Sequence, residues 1–103
     1  MAAKKLKRVK TAGQWGEAIW EMTHEVNLQS IAFQKKLHGE GCSKEQIEEA
    51  RRPYERRQEK LDWAKRLAYV LRAMELDGPD PDLWYRVERI VEDILSERVE
   101  VQR

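Results

Sequence analysis

The chain reads as an all-α protein, a long antiparallel helical hairpin followed by a shorter third helix. Three observations predict this. Gly and Pro number only 5 and 3 in 103 residues, while the good helix formers Glu, Arg, Lys, Leu and Ala dominate. Apolar residues recur at helical spacing through three stretches. The interruptions between those stretches, HGEG at 38–41 and GPDP at 78–81, are where glycine and proline concentrate.

The elements follow in order. Residues 1–10, MAAKKLKRVK, carry five positive charges and little apolar content, so they read as a mobile basic arm. A single helical domain is expected over 11–99, with 100–103 frayed. Helix 1, placed at 15–37, carries Trp15, Ile19, Met22, Val26, Phe33 and Leu37 on one face. Beside them runs a second row of Trp20, Leu28 and Ile31, so the apolar face is wide. Glycine in the 38–41 turn can take the left-handed position that ends a helix.

Ser43 then opens helix 2, and Gln46 completes a capping box. Ile47, Ala50, Tyr54, Leu61, Ala64, Ala68 and Leu71 continue it to about residue 76 at a 3.5-residue repeat, broadened by Trp63, Leu67, Val70 and Met74. Pro53 costs about 3 kcal/mol in a helix interior. It either kinks one helix or separates two. Arg52 is a poor N-cap and no turn residue flanks the site, which favours a kinked continuous helix. Arg57 falls inside the apolar stripe, so it reaches a carboxylate of helix 1, Glu21 or Glu25, or marks the end of the core. Asp80 or Asp82 caps helix 3, placed at 82–98, whose face is Leu83, Trp84, Val87, Ile90, Val91, Ile94 and Leu95.

At about 1.5 Å per residue these helices are roughly 34, 50 and 25 Å long. The third covers only one end of the hairpin. Around residues 26–56 the apolar face lacks a cover, and a homodimer that completes the bundle is the commonest closed solution.

The net charge of +1 gives no global basic excess of the kind that marks nucleic-acid binders. It is blocked, however: +5 over 1–10, −4 over 11–50, +3 over 51–60 and −3 over 61–103. No apolar run approaches the ~18 residues of a membrane span, and a single Cys42 makes neither a disulfide framework nor a zinc site. A soluble, cytoplasmic protein without cofactor is expected.

The leading functional expectation is a non-enzymatic protein-binding module (an adaptor, assembly subunit or inhibitor of a larger complex) acting through its helix 1–helix 2 surface. Its partners are itself, as a homodimer, and another protein. The contact residues are Trp20, Leu28, Ile31, Phe33, Leu37 and Tyr54. The alternative is a nucleic-acid-binding accessory subunit. It would use the arm residues Lys4, Lys5, Lys7, Arg8 and Lys10 together with Arg52, Arg56 and Lys60, which align at i, i+4, i+8. Interleaved acids, with Glu48 four residues before Arg52, point instead to a salt-bridged face.

Two metal-binding patterns complete the reading. Glu21-Met22-Thr23-His24 is one half of the Glu-x-x-His pair that di-iron bundles require. The segment EKLDWAKRLAYVLRAMELDGPDPDLWYRVERIVE resembles the C-terminal half of all-α nucleotide pyrophosphohydrolases of the MazG type. That resemblance implies a Mg²⁺-dependent activity in which Glu59 and Asp62 help to hold the metal.

Overall fold

The computed structural model describes residues 10–78 and 80–99; the expectations for the arm residues 1–9 and for fraying over 100–103 lie outside them. Within the described residues the chain forms three helices and no strand: α1 (Ala12–Gly39), α2 (Lys44–Asp77) and α3 (Pro81–Ser96).

Each boundary has a chemical cause. Thr11 and Gln14 form a capping box at the start of α1, so the helix begins three residues earlier than the apolar pattern alone suggests. Its first backbone N–H, that of Ala12, donates to Glu75 Oε1 at 2.7 Å, which ties the start of α1 to the end of α2. At the other end, Cys42 N–H donates to Leu37 O and Gly41 N–H to His38 O, both at 3.1 Å. With Gly41 at φ 79°, this is the double-bonded helix ending that satisfies the last carbonyls. Ser43 and Gln46 form the expected capping box of α2. Asp80 caps α3, accepting from Asp82 and Leu83 N–H, with Pro81 at the first helical position. α2 runs unbroken through Pro53.

The contacts fix the packing. Ala12 meets Glu75, the Asn27 side chain accepts from Gln58, and Phe33 meets Tyr54. Moving up α1 thus moves down α2, and the pair is antiparallel. A particle of 67 × 19 × 17 Å results. One core joins all three helices through Trp15, Ile19, Ala64, Leu71, Trp84 and Val91. A second, smaller cluster gathers Met22, Val26, Phe33, Tyr54 and Leu61 with Ile94, Leu95 and Val99. Trp15 Nε1 donates to the buried Glu88 carboxylate at 2.7 Å, linking α1 to α3.

Two expectations about this core are corrected. Val26 is only 2% exposed, because the end of α3 reaches far enough to cover it. Leu83 and Ile90 are 45% and 48% exposed. α3 has neighbours on one side only, so it buries the stripe of Trp84, Val87, Glu88 and Val91 and leaves its flank open.

Arg57 is the third correction. It is 4% exposed, and it does not reach Glu21 or Glu25, which lie exposed on α1. Its guanidinium donates instead to the carbonyls of Ile94 and, at 3.2 Å, Leu95. These belong to the last turn of α3, where carbonyls lack the usual donor four residues on; the Ile94 carbonyl also accepts from Glu97 N–H at 3.3 Å. Glu97 stands 4.0 Å from Arg57 and pairs with Lys60 at 2.6 Å. Burial pushes the pKa of Arg57 down, and the Glu97 carboxylate opposes that shift. Replacing Arg57 by Leu should therefore cost about 2 kcal/mol, the worth of its charge-assisted hydrogen bonds to the two carbonyls. Thermal melts should show a midpoint lower by roughly 10 °C, and an unchanged midpoint would refute the role given to Arg57.

Candidate interaction surfaces

A chain whose core is closed can still hold large apolar groups in solvent, and here they fall on helix flanks. The first flank is the side of the α1–α2 pair turned away from α3. A groove of about 320 Å³ runs there, with Gly13, Gly16 and Ile19 along α1 and Leu61, Ala68 and Tyr69 along α2. A methyl group added at Gly16 would meet nothing within 4 Å, so the floor is open. Trp20, 67% exposed, and Tyr69, 63% exposed, flank it. Trp20 stacks on His24 with ring centres 5.4 Å apart.

The second flank follows from the Lys60–Glu97 pair. Following α2 forward from Lys60 by helical turns reaches Trp63, Leu67, Val70 and Met74. Stepping back from Glu97 along α3 reaches Ile90 and Leu83. Trp63, Val70, Leu83 and Ile90 are all exposed, and Arg66 lies 5.5 Å over the Trp63 ring.

The third surface is a basic groove of about 870 Å³ beyond the end of α3. Five cations, Arg52, Arg56, Arg57, Lys60 and Arg98, line it against two carboxylates, Glu49 and Glu97. Phe33, Ala50, Pro53 and Val99 supply its apolar part. The expected Glu48–Arg52 pair does not form; Arg51 pairs with Glu55 at 2.7 Å.

The contact residues read from the sequence therefore separate. Trp20 belongs to the first groove. Leu28 and Ile31 are about half exposed on α1, and Leu37 is half-buried. Phe33 is half-buried and tilts onto Tyr54 with ring centres 5.9 Å apart. Tyr54 is buried, which removes it from any free surface, and burial pushes its phenol pKa up. The basic trio Arg52, Arg56 and Lys60 does come together, in the third groove. Lys10 sits 4.5 Å from the centre of the Trp15 ring, while Lys4, Lys5, Lys7 and Arg8 lie outside the described residues.

Tyr69, Gly16, Trp63, Leu83 and Ile90 escaped the sequence reading as surface residues. A signal existed for Trp63 and Val70, which are seven apart and offset from the 61, 64, 68, 71 stripe. Glu59 and Asp62, the pair singled out by the pyrophosphohydrolase resemblance, are exposed on α2. His24 is exposed on α1. Among the described residues no group of three or more His, Cys, Asp or Glu side chains is placed to hold a metal ion. No described helix is long and apolar enough to cross a membrane. No family model, curated protein or solved structure matches the chain.

These placements change what substitutions should do. Trp20→Asp and Ile31→Asp should shift stability by no more than about 0.5 kcal/mol, as for ordinary surface sites. Phe33→Asp places a charge against Tyr54 and should cost about 2 kcal/mol. Urea melts of the three variants check the order, and equal losses in all three would contradict it.

Proposed function

We propose that the chain is a non-enzymatic, helical protein-binding module whose contact face is the α1–α2 groove between Trp20 and Tyr69. The observation that carries this is that two aromatic side chains stand more than 60% exposed on either side of an open glycine floor. Neither is needed by the two core clusters. Tryptophan and tyrosine are enriched at binding hot spots because they bury large area with few rotors. Gly13 and Gly16 on its α1 side let another helix approach closely there, toward the short end of the usual 8–10 Å interaxial range. An adaptor, assembly subunit or inhibitor works in this way. A homodimer through the same groove is the symmetric form of the reading.

The test combines sedimentation equilibrium of the purified chain with affinity capture from its native host. One stoichiometric protein partner, a second copy or a host protein, should be bound by the wild type. Trp20→Asp and Tyr69→Asp should lose it with helicity unchanged. Capture that is identical for the wild type and both variants would contradict the proposal. The gathering of Arg52, Arg56 and Lys60 in one groove favours nucleic-acid binding as a second reading. Its mark is affinity that falls steeply as salt rises.

A further inference from the structure

α3 stops part-way along the hairpin. Arg57 closes its last turn, yet α2 extends a further thirteen residues, Lys44 to Arg56, on the other side of Arg57. Over that length, about 20 Å at 1.5 Å per residue, no other described helix lies on α1 and α2, and of the described residues after α3 only Glu97, Arg98 and Val99 reach the groove's lining. The basic groove is the place where that layer would lie. We propose that it receives an acidic helical segment of a partner protein, three to four turns long, seated end to end with α3. The inference rests on the reading of the chain as a protein-binding module but uses a different face from the Trp20 groove.

The floor sets the first requirement. Phe33, Ala50 and Pro53 are half-buried and apolar, so the occupant presents an apolar stripe to them, as an amphipathic helix does. The rims set the second. Arg57 is directed to the α3 carbonyls and Lys60 to Glu97, whereas Arg52, Arg56 and Arg98 make no ion pair with another described residue. Three unpaired cations beside an apolar floor match carboxylates flanking an apolar stripe. Orientation follows from the helix dipole: a helix that continues α3 points its N-terminus at the α3 C-terminus. Its acidic residues then fall in its first turns, where they suit both that N-terminus and the arginines.

A phosphate backbone fits less well. The lining carboxylates Glu49 and Glu97 repel it, and Phe33, half-buried and tilted onto Tyr54, is the one aromatic ring in the lining for base stacking.

The experiment displays a library of helices about 14 residues long on the immobilised full chain. The apolar stripe is fixed, and Glu, Gln or Lys is allowed at the flanking positions. Glu should be enriched about tenfold over Lys in the first two turns, and the selected helices should weaken about tenfold between roughly 50 and 300 mM salt. The Arg52→Glu/Arg56→Glu double variant, confirmed as folded by circular dichroism, should select Lys instead. Overturning results are an absence of binders, no charge preference, or the same helices binding the double variant. Tighter binding of a single-stranded DNA of about 20 nucleotides, lost in the double variant, would assign the groove to nucleic acid and overturn the proposal. Salt-sensitive self-association lost in that variant would assign it to a second copy, and so overturn it too. If no helix is selected while Trp20→Asp still abolishes partner capture, this inference fails and the protein-binding reading stands. If acidic helices are selected while Trp20→Asp changes nothing, the Trp20 contact face fails and the groove stands.

Discussion

A guanidinium inside an apolar stripe must find partners or the helix that carries it will not pack. Arg57 finds them at the end of α3, where the Ile94 and Leu95 carbonyls still have acceptor capacity to offer. One interaction thereby sets the layout. It fixes the register of α3 on α2 and draws Ile94 and Leu95 over Val26 and Tyr54. It also determines where three-layer packing gives way to two layers. The basic groove begins at that boundary because Arg57 and Lys60 form its wall.

The three-layer end is closed by more than apolar contact. Trp15 donates to Glu88 within the core, and Glu75 caps the start of α1. Such buried polar ties penalise alternative registers, since a slip leaves a donor or carboxylate unmatched. With α1, α2 and α3 locked in this way, the exposed Trp20, Trp63 and Tyr69 are not borrowed from an unfinished core. They are surface features of a folded unit. The proposed binding role rests on these exposed side chains.

Much of the fold was legible in the sequence because its signals are local. Ser43 with Gln46, the glycines at 39 and 41, and the Gly78–Pro81 interruption each act within one turn of chain, and each marks an observed boundary. Thr11 with Gln14 is an equally local capping box, but the start of helix 1 is read from the apolar pattern at Trp15 alone. What was not legible depends on neighbours. Arg57 reads as reaching an α1 carboxylate or as marking the end of the core, because helical spacing says which face a residue shares, not which of two neighbouring helices crosses it. Ile90 and Leu83 looked like core because a wide apolar face is read as buried, whereas α3 buries only one stripe. The basic groove was half visible. Arg52, Arg56 and Lys60 share a face by spacing alone, but Phe33, Arg98 and Val99 join them only through tertiary packing, and a net charge of +1 conceals the patch.

Amide hydrogen exchange of the full chain in dilute solution tests most directly whether the third layer ends at Arg57. Exchange reports local opening, so two-layer and three-layer regions separate. The amides around Ile19, Leu61–Leu71 and Trp84–Val91 should be the most protected, and those from Leu28 to Leu37 and from Ile47 to Arg52 should exchange markedly faster. Uniform protection along both long helices to the hairpin turn would contradict the account, because the tip would then be covered and its groove would not be open.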